Sequence, residues 1–358
     1  MARLDLVDVG HTYAADLEQE QWALKPLDLS LEDGKTYAIV GPSGCGKTTL
    51  LNILSGLVTP SQGRVLFDGV EVTRTPTKAR NIAQVFQFPV IYATMTVYEN
   101  LAFPLQCRGW DKTRIDSKVR AVAEALDLTD RLRQPARRLT ADDKQLISLG
   151  RGLVRDDVSA LLMDEPLTVI DPQLKFSLRR KILEITDQFR PTVIYVTHDQ
   201  YEAMSLAQEV LVMKGGQVMQ QGTPEQLFEA PASAYVGYFV GSPAMNFLDV
   251  HSDRGRVTLA GRELSTAWAV PAGDELQVGI RPEYVVLAQG PGVNHFPATV
   301  TRVSDHGPQR IFDLDLAGQP LKAKIPRERG VPATSDVMVS LPHTKVLPYV
   351  DGHLATVS

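Results

Sequence analysis

The sequence predicts an α/β protein: a parallel sheet wrapped by helices, followed from residue 241 by a small all-β domain. Three observations carry this. First, the short apolar run Lys35–Val40 enters a glycine-rich loop that opens an apolar-periodic helix. Second, two further apolar runs, at 158–163 and 192–197, alternate with helical patterns, as strands of a buried parallel sheet do. Third, beyond about residue 240, Pro and Gly become denser and long helical patterns stop. Short segments there alternate at period two between turn residues.

The 358 residues suit two domains, set at 1–240 and 241–358 with the boundary in Gly241-Ser242-Pro243-Ala244-Met245-Asn246. Hydrophobic content of 44% and charged content of 22% are ordinary for a soluble globular chain. A net charge of −5 gives no case for nucleic acid as a partner. Two cysteines, Cys45 and Cys107, form no disulfide framework or zinc spacing, which suits a reducing compartment. The first residues carry no signal-like apolar core, and no run approaches a membrane span of about 18 residues. Work at a membrane would therefore go through a docked partner.

Taken in order, residues 1–33 alternate apolar and polar positions and read as edge strands. Residue type alone leaves Tyr13 open between a half-buried strand position and a platform for a base. Gly41-Pro42-Ser43-Gly44-Cys45-Gly46-Lys47-Thr48-Thr49 fits G-x-x-x-x-G-K-[ST] between strand and helix, the context of a phosphate-binding loop. Its glycines let backbone N–H groups close on phosphate oxygens at a helix N-terminus. Lys47 is placed to reach the β- and γ-phosphates, and the Thr48 hydroxyl to ligate Mg²⁺. Pro60–Gly63 is a turn before the strand at 64–67, and Ile82–Gln87 is a strand ending in an amide. Residues 96–155 are mostly helical, with Val119, Val122, Ala125 and Leu126 on one face.

The strand at 158–163 ends in Asp164-Glu165-Pro166, and the one at 192–197 ends in His198-Asp199. Ligands of parallel sheets sit at the carboxyl ends of the strands, so three segments aim polar groups at one rim. Asp164 suits a Mg²⁺-holding carboxylate, and Glu165 a base that polarises water against the γ-phosphate. His198 suits a hydrogen-bond partner of that phosphate or water, and Gln87 a contact to the metal or water. The strands at 298–303 and 311–316 belong to the all-β part.

These residues resemble the motif set of ABC-transporter ATPases: Gly41–Thr49, Val85-Phe86-Gln87, Leu162–Pro166, Asp171 and Tyr195–Gln200. Gly241–Leu248 and Gly279-Ile280-Arg281-Pro282-Glu283 resemble the subgroup serving carbohydrate-type importers, for maltose or glycerol phosphate. The resemblance implies an ABC ATPase domain with a helical subdomain, then an OB-like domain. It implies ATP and Mg²⁺ as cofactors, with Tyr13 stacking on adenine. It implies two membrane permease subunits, a second ATPase chain and a substrate-binding protein as partners, and a peripheral place on the cytoplasmic face of the inner membrane. ABC ATPases that act on nucleic acid or ribosomes usually have a long coiled-coil insertion or tandem ATPase domains, and neither pattern is present.

One motif departs. In the family, Leu-Ser-Gly-Gly-Gln meets the nucleotide of the opposite ATPase; here the segment is Leu139-Thr140-Ala141-Asp142-Asp143. Thr140 keeps a hydroxyl, but Asp142 and Asp143 would bring charge toward a triphosphate, at a cost of about 3 kcal/mol per contact at about 5 Å and an effective dielectric of about 20. Pairing with Arg137, Arg138 or Lys144 would reduce that cost. The segment is also a good helix start, with Thr140 as N-cap. The expectation is a heterodimer with one good site, glycerol being the leading substrate. The alternative is a regulatory, weakly hydrolytic subunit.

Overall fold

Residues 2–14, 22–269 and 275–355 are described by the computed structural model. The chain divides into two compact units, Met1–Pro224 and Glu225–Ser358.

The first unit holds β1 (Leu4–Thr12), β2 (Trp22–Leu31), β3 (Thr36–Val40), α1 (Lys47–Ser55), β4 (Gln62–Phe67), β5 (Val70–Glu71) and β6 (Ala83–Val85). The chain continues through α2 (Val97–Gln106), α3 (Lys112–Ala125), α4 (Ala141–Leu153), β7 (Leu161–Asp164), α5 (Pro172–Phe189), β8 (Val193–Val196), α6 (Gln200–Leu206), β9 (Glu209–Lys214) and β10 (Gln217–Gly222). A six-stranded sheet runs β10-β9-β3-β8-β7-β6, parallel except for β10. Every residue of β3 and β8 is buried, which explains their unbroken apolar runs. An antiparallel sheet, β2-β1-β4-β5, carries the N-terminal strands.

The expected strand at 82–87 is shorter: β6 stops at Val85. Phe86 turns its side chain out, and its carbonyl accepts from Gln145 Nε2 at 3.0 Å in place of a ladder partner. Gln87 therefore lies past the strand end. Helices α2 to α4 share a core through Leu101, Leu105, Val119, Val122, Leu126 and Ile147. Each starts on a side-chain cap: Thr96 with a Glu99 capping box, Asp111, and Thr140.

The second unit begins with α7 (Pro224–Glu229) and α8 (Ala234–Phe239). Among the described residues, its strands form three antiparallel sheets around one core that includes Val278, Ile280, Phe296, Phe312 and Val339. The expected strands at 298–303 and 311–316 lie within two of them, His295–Asp305 and Gln309–Leu316. Residues 225–240, expected with the first domain, group with this unit. The buried Arg281 guanidinium explains it, donating to the carbonyls of Leu227, Phe228 and Gly237.

Candidate nucleotide site

The site is built by the carboxyl ends of three adjacent strands, β3, β8 and β7. Thr197 N–H donates to Ile39 O at 3.2 Å, and Glu165 N–H to Val196 O at 2.9 Å, so the three ends stay level. The loop after β3, His198 after β8 and the Asp164-Glu165 pair at the end of β7 thus share one rim. The structure brings Gln87 to the same edge of the sheet, two residues past β6.

The loop 41–46 takes its shape from positions only glycine fits. Gly41 has φ +156°, and a Cβ there would stand 2.4 Å from Met213 O. Gly46 has φ +104°, and its Cβ would meet Ala23 O at 2.5 Å. Gly46 is the N-cap of α1 and gives it no side-chain cap; no acidic residue sits in the first turn. The α1 N-terminus thus keeps its N–H groups and dipole end for an anion. Lys47, buried, donates to Gly41 O at 2.8 Å and Pro42 O at 3.0 Å. Pro42, Ser43, Gly44 and Thr48 are exposed, while Cys45 is buried and its thiol pushed up by that burial. Thr49 is buried, and its hydroxyl lies 3.4 Å from Tyr13 Oη. Tyr13 is 66% exposed, and its ring stands perpendicular to the His11 ring with centroids 4.5 Å apart.

Asp164 is half-buried. Burial, then the neighbouring Glu165, raises its carboxyl above the usual range, with Lys47 opposing. Glu165 follows at φ +48°, a left-handed turn off the strand. Its Oε2 accepts from Thr168 Oγ1 at 3.2 Å and stands 3.2 Å from His198 Nδ1. Asp171 caps α5 just beyond. In donor chemistry, the half-buried Asp164 carboxylate at the end of β7 and the exposed Thr48 hydroxyl at the start of α1 are oxygen ligands of the kind a hard divalent cation takes. The arrangement leaves the loop open to a polyphosphate and pairs a carboxylate directly with an imidazole on the same rim.

At the other candidate motif, α4 starts on Thr140, whose hydroxyl donates to Asp143 Oδ2 at 2.9 Å while accepting from Asp143 N–H at 3.4 Å. Asp143 is buried and its carboxylate pairs with Arg131. Asp143, expected to bring charge toward a triphosphate, is instead buried and paired with Arg131 rather than with Arg137, Arg138 or Lys144. Asp142 is half-buried, with Oδ1 shielded.

Sequence reasoning missed the loop's back wall. Gly216 N–H donates to Cys45 O at 3.1 Å, and Lys25 N–H to Gly216 O at 2.8 Å. The adjacent pair Gly215-Gly216 between two apolar runs was the available signal.

A strand-ended phosphate loop beside an Asp-Glu pair and a histidine defines a P-loop nucleoside triphosphatase. The comparisons then narrow the class. The ABC transporter family profile matches residues 24–168, and the MalK OB fold domain matches residues 241–285. The sn-glycerol-3-phosphate import ATP-binding protein UgpC of Paracoccus denitrificans is 38% identical over 94% of this chain and 92% of its own length. The trehalose/maltose import ATP-binding protein MalK of Thermococcus litoralis is 37% identical over 89% of each chain. The solved structure of cbiO1 from Clostridium perfringens, part of the ABC transporter complex cbiONQ, superposes with a TM-score of 0.58 at 25% identity, over 63% of this chain and 90% of its own. The chain belongs to the ATP-binding subunits of ABC importers that carry a MalK-type OB-fold domain, ATPases coupled to transport. Among the described residues, no helix is long and apolar enough to cross a membrane.

Proposed function

We propose that the chain hydrolyses ATP to drive uptake of a small polyol or carbohydrate, such as glycerol, glycerol phosphate or a sugar, through two partner permeases fed by a binding protein. The names of its relatives, which span glycerol phosphate, trehalose and maltose, support that substrate class. In this reading Tyr13 stacks on adenine, and the loop from Gly41 to Thr49 grips the phosphates with Lys47 over the outer two. Thr48, Asp164 and Gln87 hold Mg²⁺, which when bound spreads the charge of the transferring phosphate. Glu165 orients and deprotonates water, and His198 holds Glu165 and the water in line.

The single observation that carries the reading is the contact of His198 Nδ1 and Glu165 Oε2 at 3.2 Å, on the rim that also bears the phosphate loop. The segment from Phe88 to Val97 docks on a permease at the cytoplasmic face of the membrane. Phe88 and Val90 are 68% and 53% exposed there, and Tyr92 lies beside them. Tyr92→Asp then separates ATP hydrolysis from transport while ATP binding holds; unchanged transport removes the docking assignment.

We further propose that the second ATPase chain is non-identical. Asp143 is neutralised by Arg131, so charge repulsion rests on Asp142 alone. The stronger argument is that Thr140 has committed its hydroxyl proton to Asp143, and that Ala141-Asp142 stands where backbone would have to come close. The same observation favours the regulatory, weakly hydrolytic subunit as the second reading. Mass spectrometry of the complex that co-purifies with this chain from membranes tests the pair. A second ATPase with an intact signature and two permeases is expected; two copies of this chain alone would overturn the heterodimer.

A further inference from the structure

Beneath the rim lies a charged group that the proposed hydrolysis does not use. Glu202, on α6, is 3% exposed. Its Oε2 accepts from Thr197 Oγ1 at 2.8 Å and from Tyr195 Oη at 2.9 Å. Its Oε1 stands 3.9 Å from Lys175 Nζ, on α5. A buried carboxylate is costly unless it is paired and hydrogen-bonded, and this one gathers a hydroxyl from β8, another from the residue after it, and an ammonium from a neighbouring helix.

The position of those hydroxyls matters. Thr197 and Asp199 flank His198. Thr197 Oγ1 donates to Glu202 and in turn accepts from Asp199 N–H at 3.0 Å. Asp199 Oδ1 then caps α6, accepting from Tyr201 N–H at 2.8 Å. The three-residue segment carrying His198 is therefore clamped on both sides, through one hydroxyl, to one buried carboxylate. His198 itself is 54% exposed on its side chain, so no packed wall fixes its ring. What fixes it is its backbone and its contact with Glu165.

We infer that Glu202 is a positioning residue for hydrolysis: through Thr197 it sets the backbone that aims His198 at Glu165. Tyr195 bonds the same carboxylate from inside the strand, where every side chain is buried, and serves stability only. Tyr195 and Thr197 thus share an anchor but differ in whether they hold the His198 segment. The inference rests on the reading of Glu165 and His198 as the hydrolytic pair.

The test uses the full chain in its membrane complex, measuring kcat and KM for ATP and the melting temperature. Glu202→Ala and Thr197→Val are expected to lower kcat about tenfold or more with KM for ATP within about twofold, because the phosphate loop is untouched. Glu202→Gln keeps an oxygen for both hydroxyls and is expected to restore kcat to within about threefold of the parent. Tyr195→Phe is expected to lower the melting temperature while kcat holds within about twofold. Equal kcat losses in Tyr195→Phe and Thr197→Val, tracking stability, would overturn the inference. So would an unchanged kcat in Glu202→Ala. Glu165→Gln, measured alongside, separates the two claims. If it stays active, the hydrolytic pair itself is wrong. If it is inactive while Glu202→Ala is not, only the positioning role falls.

Discussion

Two helix N-termini in the first unit start from the same physics and end in opposite states. At α1 the cap is Gly46, with no side-chain cap and no acid in the first turn. At α4 the cap is Thr140, bonded to Asp143, with Asp142 and Asp143 both in the first turn. Each helix begins with unpaired N–H groups and a positive dipole end. The α1 end leaves them to a ligand. At the α4 end Thr140 accepts from the Asp143 N–H at 3.4 Å, and the buried Asp143 carboxylate pairs with Arg131. The first turn of α1 is thus open to an anion, while that of α4 carries its own cap and two acids.

The largest loss is expected at the rim beside α1. Glu165→Gln is expected to reduce kcat for ATP about 100-fold or more with ATP affinity retained, read by steady-state kinetics and equilibrium binding. Retained turnover would mean the water is activated elsewhere.

Gly46→Ala closes the open end. A Cβ at φ +104°, 2.5 Å from Ala23 O, forces the loop to shift. ATP affinity is expected to fall about tenfold, with stability lower by about 1–3 kcal/mol in denaturant titration. Full affinity in that variant would show that the loop geometry is not what binds.

Thr140→Ala uncaps the closed end. It is expected to cost about 1 kcal/mol of stability and to leave this chain's own ATP affinity unchanged. A drop in affinity would tie α4 to the nucleotide on the same chain.

The smallest effect concerns charge at the rim. Burial and Glu165 raise the Asp164 carboxyl, so the folded state holds that proton more tightly than the unfolded chain. Stability is then lost as pH rises from the ordinary value of 3.8 through the raised one. Asp164→Asn removes this loss: its melting temperature should exceed the parent's at neutral pH, with the gap closing as pH falls toward 3.8. A lower melting temperature at neutral pH would contradict it.

Much of the rim was legible in the sequence because each element announces itself locally. An unbroken apolar run followed at once by a polar residue marks a buried parallel strand and the edge where ligands collect. Asp164, Glu165 and His198 carry that signal, and Lys47 is marked by the glycine pattern of the loop before it. Arg131 lies twelve residues from Asp143, on a 3₁₀ turn between helices, and nothing at either position marks the pair. Glu202 reads as one more helical acid until the fold places it under Thr197. The back wall from Ala23 to Gly216 joins segments far apart in the chain, a fact of topology rather than of pattern.

The difference between the two helix ends is tested most directly by opening the closed one. The triple variant Ala141→Gly, Asp142→Gly, Asp143→Gln removes both acids from the first turn of α4 and frees the Thr140 hydroxyl. ATPase rates would be compared between native and variant chains, each purified without any second ATPase. The variant is expected to turn over ATP about tenfold faster than the native chain. A native chain that already hydrolyses ATP as fast as the variant would contradict it, since Thr140 to Asp143 would then serve the reaction as they stand.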